Sequence, residues 1–267
     1  MNPPAEVAPW VERLARVGYV AKAVLYATIG ILAAQAALGE GGRTTDTRGA
    51  LRTLLHAPFG RVMLLVVAIG LLGYTLWLFV RAVTDAEQRG HGAKGVALRI
   101  GDVVRGLAHG ALALAAFRLA RGQGDGGGGD GTREWAGRAM EAPFGQALLW
   151  VGAAAIAGYG LYQLYRSWSA KLSRQLALGE LPPGTARWVV AVSRFGIAAR
   201  GVVFLLIAYF ASRAAAQRDP SQAGGVDESL QALAGVGRWP LAVVALGLVA
   251  YGVYELVNAR YRRIRVA

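Results

Sequence analysis

The sequence predicts an all-α integral membrane protein: six transmembrane helices, arranged as three parallel two-helix repeats with pseudo-threefold symmetry along the membrane normal. Three observations predict it: six separate apolar runs, a start motif that recurs three times, and an excess of arginine at one end of the runs. The chain of 267 residues is 55% hydrophobic and yet carries a formal charge of +13. The apolar residues do not blend into one soluble core. They fall into runs at 17–38, 60–83, 99–120, 144–166, 194–216 and 237–258, divided by charged, Gly-rich and Pro-containing stretches. About 20 residues at about 1.5 Å each match a hydrocarbon layer about 30 Å thick.

The repeat is carried by charged residues at matched places. Arg16-Val17-Gly18 leads to Lys22, Arg99-Ile100-Gly101 to Arg105, and Arg194-Phe195-Gly196 to Arg200. Each first helix is followed by a polar loop and an approach segment. These read Ala57-Pro58-Phe59-Gly60, Ala142-Pro143-Phe144-Gly145 and, more loosely, Ala234-Gly235-Val236-Gly237. The second helix repeats as Tyr74, Trp77, Arg81, then Tyr159, Tyr162, Arg166, then Tyr251, Tyr254, Asn258. Because every unit crosses twice, all three share one orientation and any symmetry axis follows the membrane normal. The expected divisions are an N-terminal segment 1–15, repeats at 16–83, 99–166 and 194–258, and a basic tail 259–267.

The start motif, the Ala-Pro-Phe-Gly approach and the Gly-Tyr-containing second helix together resemble the bacterial membrane family catalogued as domain of unknown function 1206. Its members usually hold three tandem two-helix copies, and the resemblance runs from Arg16 to Asn258. It implies an architecture only, since the family carries no assigned activity.

Orientation follows from the basic residues. The termini, the 84–98 and 167–193 loops and the nearby helix ends hold 18 basic and 7 acidic residues, against 11 and 9 on the other side. Both termini are therefore expected in the cytoplasm, with the protein multi-pass in a bacterial inner membrane. The Arg, Ala and Gly bias is that of a GC-rich bacterial genome. Ala34-Gln35-Ala36 resembles a signal cleavage site. However, the run before it is longer than a signal core and aligns with the later runs near 99 and 194.

Residues 122–131 form a Gly-rich stretch expected to be a flexible outer loop. Gly122-x-Gly124-x-x-Gly127 matches a dinucleotide fingerprint formally, but no strand precedes it. Segments carrying Leu51, Leu54 and Leu55, then Trp135, Ala139 and Met140, predict short amphipathic helices in the outer interface.

Lys22, Arg105 and Arg200 are the most informative residues, each about 9 Å inside the cytoplasmic end of a first helix. A cation there must snorkel to headgroups or find a partner. Three readings stay open: snorkelling, convergence on a shared inner cavity that binds an anionic headgroup or another anion, and pairing to Asp102 or Glu255. Arg16, Arg99 and Arg194 join them as anion- or lipid-binding candidates. Asp102 and Arg105 can share a helix face. Glu255, where the other repeats have Leu78 and Gln163, is a possible buried acid, either salt-bridged or proton-coupling.

Tyr74, Trp77, Tyr159, Tyr162, Tyr251 and Tyr254 read either as an interfacial belt or as a ligand-facing wall, with cation–π contacts within reach of the embedded cations. Gly106 and Gly110 read as helix packing. His109 is expected to hydrogen-bond to a neighbouring helix rather than bind metal. Cysteine is absent, so thiolate chemistry is excluded. No His-Glu-x-x-His, phosphate loop or paired-carboxylate motif appears, so no enzyme, metal site or cofactor is expected. The tail arginines Arg260, Arg262, Arg263 and Arg265 are expected on anionic lipid, not nucleic acid.

The expected role is therefore non-enzymatic, with anionic lipid or a partner protein engaged on the cytoplasmic side. The rival is a small channel or transporter between the repeats. Its outer path would rest on little beyond Thr28, Gln35 and Ser212.

Overall fold

A computed structural model describes residues 9–40, 42–84, 90, 92–123, 131–169 and 182–262. The described chain is helical: α1 (Pro9–Leu38), α2 (Thr47–Leu55), α3 (Gly60–Thr84), α4 (Ala93–Ala120), α5 (Gly131–Glu141), α6 (Gly145–Trp168), α7 (Pro183–Gln217), α8 (Val226–Val236) and α9 (Arg238–Tyr261). Six of these, α1, α3, α4, α6, α7 and α9, are long and apolar enough to cross a membrane. The expected runs end within three residues of the observed helices. At their starts, α1, α4 and α7 begin six to eleven residues earlier than expected, because Glu12, Arg13 and Arg187 are good helix formers outside the apolar run. The expected N-terminal segment and the start of the expected tail are therefore helical from Pro9 and through Tyr261. The loop stretches 85–89, 124–130 and 170–181, and the tail residues Arg263 and Arg265, lie outside the described residues.

The short helices cover the end opposite the Arg-x-Gly starts. Asp46 caps α2, accepting from the Gly49 N–H at 2.7 Å, and Glu228 closes the start of α8 by accepting from the Gly225 N–H at 2.8 Å. Leu51 and Leu54 are buried against the bundle as the amphipathic pattern requires, whereas Trp135 on α5 faces outward at 70% exposure.

The Ala-Pro-Phe-Gly segments are tight corners into α3 and α6. Phe59 and Phe144 sit in the left-handed region at φ 59° and 62°, a conformation that costs about 1–2 kcal/mol for a residue with a Cβ. The glycine that follows is required by space, since a Cβ on Gly60 or Gly145 would lie 2.2 or 2.3 Å from a carbonyl oxygen. In the third repeat the positive φ moves to Gly237, at 152°, which accounts for the looser sequence there.

Packed neighbours run in the order α4, α3, α1, α9, α7, α6. The second helix of each repeat packs on the first helix of the next: α3 on α4, α6 on α7, and α9 back on α1. Within repeats the pattern differs. α1 packs on α3 and α7 on α9, but α4 and α6, the two helices of the middle repeat, share no comparable packed seam.

The glycines record this difference. A Cβ on Gly18 would lie 2.5 Å from the Tyr74 Cβ, and one on Gly196 would lie 2.3 Å from the Tyr251 amide nitrogen. At the same repeat position, Gly101 meets nothing within 4 Å. Likewise a Cβ on Gly73 would lie 2.8 Å from the Leu14 Cβ, while one on its counterpart Gly158 meets nothing within 4 Å. Gly106 and Gly110 do pack, against Phe79 and Thr75 of α3.

An apolar cluster fills the half of the bundle away from the Arg-x-Gly starts. It includes Ala33, Leu51, Leu64, Ala116, Val203, Leu230 and Leu241. Thr28 and Ser212 turn their hydroxyls onto carbonyls of their own helices, Val24 and Tyr209.

Candidate functional site

The polar side chains gather in the arginine-rich half, at the seams between repeats. At the α9/α1 seam, Lys22 Nζ donates to Glu255 Oε1 at 2.7 Å and lies 4.3 Å from the Tyr74 ring centre. Both partners are buried, at 6% and 1% side-chain exposure. At the α3/α4 seam, Arg81 grips Asp102 through both Nε and Nη2, at 2.8 and 2.6 Å, the bidentate geometry a guanidinium favours. Arg105 also bonds Asp102, so one carboxylate serves two guanidiniums. The α6/α7 seam has no carboxylate among the described residues. There Arg200 donates to the hydroxyls of Tyr159 at 3.1 Å and Tyr26 at 2.9 Å. It also stands over the Phe204 and Tyr251 rings at 4.7 and 4.9 Å.

Each repeat tyrosine thus meets an embedded cation: Tyr74 meets Lys22, Tyr251 meets Arg200, and Tyr159 meets Arg200 together with Arg105 at 5.9 Å. The tyrosines are also paired edge-on with aromatics of the next repeat: Tyr74 with His109, Tyr159 with Phe204, Tyr251 with Tyr26, at 5.0, 5.0 and 4.6 Å. Sequence reasoning missed this second aromatic. Its signal was present, since Tyr26, His109 and Phe204 each stand one turn after the embedded cation, on the same helix face.

An interfacial belt does not describe these aromatics. Tyr74, Trp77, Tyr251 and Tyr254 are buried, and of the six only Tyr162 is exposed, at 48%. The tyrosine face turns inward because cation–π contacts and hydroxyl acceptors hold the embedded cations there. Tyr254 accepts from Arg166 at 2.6 Å. Trp77 packs beside Tyr19, and neither its Nε1 nor the Tyr19 hydroxyl has a hydrogen-bond partner among the described residues.

Arg16, Arg99 and Arg194 divide. Arg16 donates to the carbonyls of Ala259 and Arg260 at the end of α9, and Arg99 to those of Ala82 and Val83 at the end of α3. These four carbonyls occupy equivalent places in the repeat. Each arginine caps the preceding repeat's last turn, where carbonyls lack helical partners and a cation suits the helix dipole. The Arg194 Nε is buried without a partner among the described residues. Among the described residues His109 bonds its own helix and not a neighbouring one: its Nδ1 lies 2.8 Å from the Arg105 carbonyl, and its ring meets α3 through Tyr74. No group of three or more His, Cys, Asp or Glu able to hold a metal occurs among the described residues.

Such an arrangement can hold a negative charge. Fold and site define an all-helical protein of three two-helix repeats, with six long apolar helices and an arginine-rich half. The chain belongs to the family Domain of Unknown Function (DUF1206), whose model matches residues 17–85, 100–170 and 195–262. It is also similar to the uncharacterized protein YxxB of Bacillus subtilis (strain 168), 32% identical over 261 residues, which covers 97% of this chain and 94% of the relative. No solved structure matches the chain.

Proposed function

We propose that this is a non-enzymatic, multi-pass protein of the bacterial inner membrane, both termini cytoplasmic, whose arginine-rich half holds an anionic headgroup. The observation that carries the proposal is a charge imbalance. Among the described residues, the three embedded cations of the first helices meet only two carboxylates: Lys22 pairs with Glu255 and Arg105 with Asp102, while Arg200 pairs with neither. Arg200 is 7% exposed with no carboxylate at ion-pair distance among the described residues. A cation at this depth is costly in a bilayer, and an anion close by lowers that cost. A phosphate-bearing headgroup entering from the cytoplasmic leaflet supplies one, and basic pockets between helices on that side suit acidic lipids.

The pseudo-threefold arrangement is part of this reading. Its support is the cyclic run of tyrosine–aromatic pairs, each joining one repeat to the next, and the matched caps of Arg16 and Arg99. A pathway across the membrane is the poorer reading. The apolar cluster fills the opposite half, and Thr28 and Ser212 spend their hydroxyls on their own helices.

The test is native mass spectrometry of the detergent-extracted protein, offered phosphatidylglycerol and phosphatidylcholine in equal amounts. The proposal expects phosphatidylglycerol to be retained in preference, and Arg200→Gln to lower its retention about tenfold, the loss of one charge-assisted contact. Arg200→Lys keeps most of it. Equal retention of the two lipids by the native protein overturns the proposal.

A further inference from the structure

The middle repeat is built with the same small residues as its neighbours and is not closed by them. Gly101 and Gly158 stand where Gly18, Gly196 and Gly73 bring backbones together, yet a Cβ on either meets nothing within 4 Å. Small residues alone define no site. A second set of observations lies in the same seam: Arg105 on α4 and Tyr159 on α6 face each other across it, 5.9 Å from guanidinium to ring centre.

Arg105 is the most open of the three embedded cations, with 33% of its side chain exposed. Its share of negative charge is incomplete, because Asp102 is already gripped bidentately by Arg81. Arg105 Nε bonds the Gly101 carbonyl one turn back, which draws the guanidinium toward the arginine-rich end of α4. Both helices also present apolar side chains outward. Ile100, Val104 and Leu107 on α4 and Val151 and Leu161 on α6 are each exposed by 58% or more. The seam therefore offers an accessible cation in the arginine-rich half, with aliphatic surface leading away from it along the helices.

We infer that an acidic phospholipid of the cytoplasmic leaflet occupies the seam between α4 and α6. Its phosphate sits on Arg105 beside the Tyr159 ring, and its acyl chains lie in the space that helix packing fills in the other two repeats. The inference rests on the headgroup reading above and adds to it a place and a stoichiometry: one lipid per chain. A lipid fits better than a free anion, because the opening is lateral and its flanks are apolar. Arg105 neutralises the phosphate, Asp102 relaxes onto Arg81 alone, and the lipid becomes part of the bundle.

The experiment is native mass spectrometry on the full chain with phosphatidylglycerol, comparing the native protein with Gly101→Leu/Gly158→Leu and with Arg105→Gln. Both glycines have open space, so the leucine variant is expected to fold, which its thermal unfolding midpoint checks. The native chain is expected to retain one phosphatidylglycerol, and both variants to lose it by at least about tenfold. Native-like retention by the leucine variant overturns the inference. If Arg200→Gln still releases the lipid in that case, the headgroup reading survives without the seam. Displacement of the lipid by excess inorganic phosphate overturns the lipid source in favour of a free anion. A native dimer that the leucine variant converts to monomer shows a second copy in the seam and overturns the inference as well. Failure of every form to prefer phosphatidylglycerol defeats both readings.

Discussion

The first and third repeats close on themselves by backbone contact, while the middle repeat, built from the same motif, leaves its two helices apart. Gly18 and Gly196 touch the partner helix's tyrosine turn; Gly101, in the same place, faces open space. The inter-repeat seams explain part of this. α4 is tied to α3 through the Arg81–Asp102 grip and the Thr75 hydroxyl donating to the Gly106 carbonyl at 3.3 Å. α6 is tied to α7, where a Cβ on Gly160 or Gly201 would lie 3.1 Å from the other's carbonyl oxygen. The middle repeat is thus divided between two neighbours, each of which holds one of its helices. The lesson is that a repeated packing motif makes close approach possible, while the seams around it decide whether approach occurs.

The largest expected effect comes from breaking a buried pair at a closed seam. Glu255→Gln leaves Lys22 buried without its counter-charge and is expected to cost about 3–5 kcal/mol. This would be read as a loss of thermal midpoint in detergent, and Lys22→Met in the same chain should recover most of it. A midpoint unchanged by Glu255→Gln would remove the α9/α1 pair from the account.

Next come the glycines of the closed repeats. Gly196→Ala would place a Cβ 2.3 Å from the Tyr251 nitrogen and should destabilise by about 1–3 kcal/mol, as overpacking does. Gly101→Ala is expected to act in the opposite direction. With open space around it, alanine gains about 0.5–1 kcal/mol of helix propensity over glycine, and the midpoint rises. Destabilisation of equal size at both positions would mean that the middle repeat is closed like the others. The smallest effect is expected from Tyr159→Phe. It removes one hydroxyl from Arg200 while Tyr26 still accepts, a loss of about 1 kcal/mol visible as a modest midpoint shift.

Much of this was legible beforehand, for identifiable reasons. The spans and the repeat could be read because charge at matched positions in apolar runs is rarely accidental. Asp102 and Glu255 stood out as acids in apolar helices, and both proved to be ion-pair partners of basic residues at the seams. The starts of α1, α4 and α7 were hidden because hydropathy marks where a helix enters an apolar layer, not where its hydrogen bonds begin. The helix-capping roles of Arg16 and Arg99 were hidden too, since capping depends on which carbonyls a neighbouring helix presents. The aromatics were left between an interfacial belt and an inward wall, as periodicity gives a face without saying what it meets; most of them turn out buried. The asymmetry of the middle repeat left no trace in sequence, because Gly101 reads just as Gly18 does.

The chain has no cysteine, so a single introduced pair reports on the seam without background. Gly101→Cys with Ala155→Cys joins the two positions that correspond to the close Gly18 and Gly70 contact. In phosphatidylglycerol vesicles the account predicts slow disulfide formation on mild oxidation, faster after exchange into phosphatidylcholine, because the acidic lipid holds α4 and α6 apart. Rapid and complete cross-linking in phosphatidylglycerol would contradict it.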